Sequence, residues 1–452
     1  MQTENISDTV IKNDYCIGCG ACSFVDSNYR IQLDQYGMYK ATLDYPNSPD
    51  DGISAKVCPF SNSTKNEDFI AEEKFGNVKS YNKYIGKYIK NYVGYVDEGE
   101  YREKGSSGGA GKWILNELLK NDLVDYVIQV VSTNEPDNLF TFKVFAKGDD
   151  ILVGSKSAYY PVNLKDPLSF IRENEGRYAI TAIPCFSKAI RNICLYDTEM
   201  ARKIKFIIGI ICGHLKSSGF AESLGWQLGV EPHELRGIEF RGKIKGLNAN
   251  EKGVFATDAL GCRSITESSK KLLGGNWGYG FFKYKACDYC DDIVGETTDV
   301  SIGDAWIDEL MKDDKGNNVL IIRNEIILEM IIKAIKEKRL QFTEVDENVI
   351  VQSQLGGIRH RREGLGYRLM NKIKNNQWVP IKRVEPSNKL PYDRKRIYRV
   401  REEIRDASHR IFKKAKEINR FDYFSSSMEP YIKKLKMPLV YRVFFKLFKM
   451  FK

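Results

Sequence analysis

The sequence predicts a mixed α/β, or α+β, chain in three parts: a small cysteine-rich module over residues 1–75, a larger α/β domain over 85–355, and a basic helical tail over 360–452. Three observations carry that division. Four of the ten cysteines fall in the first module: Cys16, Cys19, Cys22 and Cys58. Strand-like apolar runs stand beside helical patterns between Tyr92 and Lys338, as α/β layering requires. Charge is uneven: Ile381–Lys452 holds 21 Lys/Arg against 8 Asp/Glu, while the whole chain carries a net charge of only +10.

A chain of 452 residues is too long for one compact core and fits two or three domains. Its ordinary apolar and charged fractions exclude wholesale disorder. No run reaches the roughly 18–20 apolar residues of a membrane span. The N-terminal stretch MQTENISDTVIKNDY has no apolar signal core. A cytoplasmic location follows, and clustered cysteines there read as metal or redox ligands rather than disulfides.

The elements follow in order. Tyr29–Leu43 partly alternates and predicts a hairpin. Lys65–Lys83 is polar and reads as a linker. Strands are predicted at Tyr92–Val96, Val124–Val131, Tyr178–Ile183 and Lys205–Cys212. The glycine-rich turn Gly105–Gly111 opens an amphipathic helix that runs through Leu119. Ile321–Lys338 has helical periodicity, and Asp393–Asn419 predicts a long charged helix. The basic tail suits nucleic acid, anionic lipid or an acidic partner. Its end, Leu439–Lys452, predicts a short helix, either lying on the inner face of a membrane or packing in an oligomer.

The strongest chemical signal is Cys16-x-x-Cys19-x-x-Cys22 with a later Cys58-Pro59. Three thiolates at two-residue gaps wrap one cubane and a distant Cys-Pro closes its fourth corner, so the module reads as ferredoxin-like with one [4Fe–4S] cluster. Asp26 stands where a two-cluster module has another cysteine. Structural zinc is the rival reading. Cys185, Cys212, Cys287 and Cys290 form a dispersed second set. Three readings stay open for it: a second cluster, a zinc site, or inert buried thiols. Cys194 and Cys262 have no partner at useful spacing and read as core thiols.

The Gly105–Gly111 loop offers backbone N–H groups and a helix N-terminus to an anion such as a flavin phosphate, or is simply a tight turn. It matches neither a Walker loop nor a dinucleotide fingerprint. His214, beside Cys212, and Asp304, at a strand end, are the candidate catalytic side chains. A satisfied core histidine and a turn cap are their plain alternatives.

In their joint order these motifs resemble the coenzyme F420 hydrogenase/dehydrogenase beta-subunit family over roughly residues 10–310. The motifs are CxxCxxC…CP, the Ser-Ser-Gly-Gly loop, Ile183–Arg191, Ile211–His214, Lys285–Asp292 and Asp299–Asp304. The resemblance implies FAD and [4Fe–4S] clusters serving a substrate such as a deazaflavin. It favours a second cluster at Cys185, Cys212, Cys287 and Cys290. It also implies flavin contacts from Ser106, Ser107, Gly108, Gly109, Ser157 and Tyr159. A ferredoxin-like donor or acceptor and a small-molecule substrate are the implied partners, with a surface-polysaccharide metabolite as an alternative to coenzyme F420. Self-association is open. The other functions weighed are a non-catalytic electron-transfer subunit and a zinc-stapled protein whose tail grips nucleic acid.

Overall fold

The structure is a computed structural model and describes residues 4–44, 52–154 and 156–436. Its centre is an eight-stranded mixed sheet. In chain order the strands are β1 (Lys90–Val96), β2 (Tyr126–Glu135), β3 (Asn138–Ala146), β4 (Tyr178–Ala182), β5 (Ile204–Ile210), β6 (Val300–Asp304), β7 (Asn318–Ile322) and β8 (Leu340–Glu344). Across the sheet they run β8-β1-β7-β6-β5-β4-β2-β3. The middle four, β6-β5-β4-β2, are parallel. Antiparallel strands flank them on both sides.

The parallel strands are nearly all apolar because both faces are covered. Ile128, Ile180 and Ile207 point to one side, where the helix Pro184–Tyr196 and the N-terminal module pack. Their neighbours Val127, Ala179 and Ile208 point to the other, against the helices Ala110–Lys120 and Glu325–Lys336. Alternation along a strand therefore gives a separate core on each face of the sheet.

Tyr29–Leu33 and Tyr39–Leu43 form the expected antiparallel hairpin. Gly18 (φ +63°) sits so close to it that a Cβ would stand 2.3 Å from the Tyr39 carbonyl oxygen. The module is not loosely tethered: the Leu164 N–H donates to the Cys19 carbonyl at 2.7 Å, and Arg172 lies 3.7 Å over the Phe24 ring.

Two elements differ from expectation. Lys65–Lys83 contains a helix, Glu67–Phe75, capped by Asn66 and burying Ile70, Ala71 and Phe75. Its polar look comes from charged groups that are themselves paired, such as buried Glu67 with Lys188 at 3.2 Å. The apolar run at Ile321 ends a strand before Glu325–Lys336 begins; a short apolar run reads the same in either state.

The long helix appears as Tyr392–Glu417 and buries Tyr398, Val400, Ile404, Ala407, Ile411, Phe412 and Ala415. These pack with Phe220, Phe282 and Phe424 over a small three-stranded sheet. Leu439–Lys452 lies outside the described residues. Among the described residues no helix is long and apolar enough to cross a membrane.

Candidate functional site

The first cysteine quartet assembles from the loop Cys16–Cys22 and from Cys58, which ends the helix Ile53–Val57. All four line one small apolar space of about 20 Å³ with Ile17, Ile31 and Phe60. Main-chain N–H groups point at the sulfurs: Gly18 and Ala41 donate to Cys16 Sγ at 3.3 and 3.2 Å. Burial pushes the Cys58 thiol up to about 12, and burial with neighbouring thiols also raises Cys19 and Cys22 well above the ordinary thiol value.

The second quartet forms at the carboxyl edge of the parallel strands. Cys185 is in the first turn of the helix that follows β4, and Cys212 follows β5. Cys287 and Cys290 come from a turn, Lys285–Tyr289, laid across that edge. Burial raises the Cys185 thiol well above its ordinary value, and Cys290, Cys212 and Cys287 raise it further. The Leu215 N–H donates to Cys287 Sγ at 3.2 Å. Arg361 offsets part of this: its charge draws the Cys212 and Cys290 thiols back down against burial.

The two quartets are neighbours. Cys19 adds to the shift of Cys185. Tyr15 and Tyr289, each next to a cysteine, meet edge to face at 4.9 Å. Among the described residues no three His, Cys, Asp or Glu side chains approach as closely as the ligands of a single metal ion. Thiols serving separate corners of a multi-iron cube have to stand wider than that. The N–H donors and the buried sulfurs fit such a group.

Beside the second quartet opens a cavity of about 1150 Å³. It lies at the carboxyl ends of the parallel strands, where ligands of open α/β sheets bind. Its floor is aromatic: Tyr159 stands 4.5 Å from Trp277, and His214 stacks on Trp277 at 4.2 Å. Its walls are cationic, with Lys112, Lys156, Arg241, Lys252 and Lys270 at one end. Burial drives the Lys112 and Lys252 ammonium groups down to about 8. Asp304 is the only carboxylate among the lining residues, and Arg241 pairs with it at 2.5 Å.

Ser157, Tyr159, His214 and Asp304 all line this cavity. Ser106, Ser107, Gly108 and Gly109 lie just behind the wall. Ser106 joins Ser157 hydroxyl to hydroxyl at 2.8 Å, and Lys252 donates to the Ser106 carbonyl at 2.9 Å. Ser107 donates to the Asn317 carbonyl, and Gly108 packs on Asn318. Burial and nearby cations hold His214 well below its ordinary value, so it is neutral at physiological pH. Cys194 is half-buried, but Cys262 is exposed in a turn, contrary to the core thiol expected; a lone cysteine carries no pattern that fixes its depth.

Sequence reasoning missed Lys112, Arg241, Lys252, Trp277 and Arg361. Only Lys112, directly after the glycine loop, left a signal there.

A family model for the N-terminal part of the coenzyme F420 hydrogenase/dehydrogenase beta subunit matches residues 91–169, and a second, for the C terminus of the same polypeptide, matches 175–348. A solved chain of the F420-reducing [NiFe] hydrogenase complex from Methanosarcina barkeri, derivatised with xenon, shares the fold: TM-score 0.50, 16% identity, 67% of this chain and 98% of that one covered. No curated protein sequence matches the chain. With both family models matched in order over more than half its length, the chain belongs to the coenzyme F420 hydrogenase/dehydrogenase beta-subunit family.

Proposed function

We propose that the chain is an iron–sulfur flavoprotein oxidoreductase that exchanges electrons with a ferredoxin-type partner and acts on a small-molecule substrate. Cys16, Cys19, Cys22 and Cys58 would hold one [4Fe–4S] cluster, and Cys185, Cys212, Cys287 and Cys290 a second. FAD would take the cavity. A bound flavin supplies the interconversion of single-electron and hydride-equivalent transfer.

The observation that carries the reading is Cys212, which belongs to the second quartet and also lines the cavity. One residue thus joins the thiol chemistry to the ligand space. Lys112, Lys156, Arg241 and Lys252 suit the phosphates of a dinucleotide; the acids beside them are Asp304, Glu239 and Asp150. Tyr159, Phe240 and Trp277 give a planar ring apolar contact. Main-chain donors and Arg361 stabilise thiolates that burial alone would disfavour. All ten thiols are free, which suits the cytoplasm.

The test is the iron, sulfide, zinc and flavin content of anaerobically purified protein. About eight irons and one flavin per chain is the expected result. Zinc without flavin overturns the reading. The same neighbouring quartets suit an electron-transfer subunit whose substrate site lies on a partner. Turnover by the isolated chain with a chemical electron donor excludes that alternative.

A further inference from the structure

The cavity has a second cationic end, around His214. Its wall there comes from the segment 355–401, beyond the residues matched by the family: Arg359, His360, Arg361, Arg394, Tyr398 and Arg401. Lys216 and Lys283 line it as well, both buried.

Most of these cations are already engaged. Lys216 donates to the Phe281 carbonyl at 2.5 Å and lies 4.6 Å over the Trp277 ring. Lys283 pairs with Asp288, a buried acid behind the wall that also meets Arg405 at 2.6 Å. Arg361 caps the Cys212 and Gly213 carbonyls. Arg394 pairs with Glu363.

Arg401 is different. Its Nε is buried with no hydrogen-bond partner. Its Nη2 lies 3.5 Å from where a Cβ on Gly278 would stand, and Arg401, Trp277 and His214 all line this cavity. Arg359, exposed at the mouth, also lines this end. Arg401 is partly buried, and its orphaned Nε–H is costly until an acceptor meets it. A volume of about 1150 Å³ also exceeds the roughly 300–1,000 Å³ that one ligand fills.

We propose that the C-terminal segment makes this end the substrate's anion subsite, with Arg401 and Arg359 gripping a phosphate or dicarboxylate group beside His214 and Trp277. This deepens the flavoprotein reading and rests on it for the other half of the cavity. Substrate choice then lies in residues the chain adds to its family's core.

The test is calorimetric titration of FAD-loaded protein with inorganic pyrophosphate and, separately, malonate. One saturable site per chain with unchanged flavin content is expected. Arg401→Gln and Arg359→Gln should each weaken it at least about fivefold while flavin content holds. The exposed Arg359 provides a variant that keeps the fold. Tighter pyrophosphate supports a phosphoryl substrate, and tighter malonate a dicarboxylate. Unchanged affinity in both variants, no saturable site, or displacement of flavin by pyrophosphate overturns the proposal. If no flavin can be loaded, the flavoprotein reading fails by itself. The flavin-free chain then decides the subsite: loss of pyrophosphate binding with Arg401→Gln supports it, and loss only with Lys112→Gln overturns it.

Discussion

Arg361 holds the main chain of Cys212: its Nη2 donates to the Cys212 carbonyl oxygen at 2.8 Å and to the next carbonyl, Gly213, at 2.6 Å. Its Nε reaches the Asp292 carbonyl at 3.2 Å, on the far side of the Cys287–Cys290 turn. One guanidinium therefore ties together the two segments that carry three of the four thiols. Arg361→Ala leaves buried carbonyls unpaired and should destabilise the fold by about 1–3 kcal/mol, read from urea unfolding. It should also halve the iron content. Arg361→Lys, with one donor head instead of a fork, should recover only part of both.

The quartets separate by mutation. Cys290→Ser should take the iron content from about eight to about four per chain, and Cys16→Ser should do the same from the other side. Elemental analysis checks this. A variant that loses all iron would mean that the eight thiols serve one site.

Gly108 has no room for a side chain. A Cβ there would stand 2.7 Å from Asn318 Oδ1 and 2.8 Å from the Gly94 carbonyl oxygen. Gly108→Ala should cost about 1–3 kcal/mol of stability through overpacking. The denaturant midpoint measures it. No loss would mean that the loop shifts freely.

Flavin affinity should depend on pH through Lys112 and Lys252, which burial holds at about 8. An anion bound beside them raises that value. Their contribution is therefore full below pH 8 and is lost as pH rises past it. Flavin dissociation constants between pH 6.5 and 9.5 should weaken with rising pH, and Lys112→Gln should flatten the curve.

Acid should destabilise the fold through His409. Burial lowers its value from 6.5 to about 4, with Nε2 facing the Lys283 carbonyl at 3.2 Å. The folded value lies below the unfolded one. Its contribution is full above pH 6.5 and fades as pH falls toward 4, by about 3 kcal/mol in all. Unfolding free energies across that range should show the slope, and His409→Gln should reduce it.

The first quartet was legible because three of its ligands are close in sequence, and the backbone between them is the geometry. The second needed a fold to bring Cys185 and Cys212 to one sheet edge, and only the order of motifs hinted at it. Arg361 and Arg401 were hidden for another reason. They lie in a run of basic residues, and charge composition reads as a solvated surface. The fold instead turns particular members of that run inward, onto the cysteine turn and the cavity. Lys65–Lys83 misled in the same way: its charges are polar in composition, yet Glu67 is buried against Lys188.

Asp288 stands between Cys287 and Cys290 and is surrounded by Lys283, His360, Arg368 and Arg405. That places a constraint on the order of events during biosynthesis. The ribosome adds Cys290 more than a hundred residues before Arg405. Until the last of these partners emerges, the turn between the two cysteines carries a carboxylate without its full set of counter-charges. All eight candidate ligands are thus synthesised before the second site can close. The counter-charges of this turn are complete only once Arg405 is made, whereas the thiols of the N-terminal loop are all present once Cys58 is made.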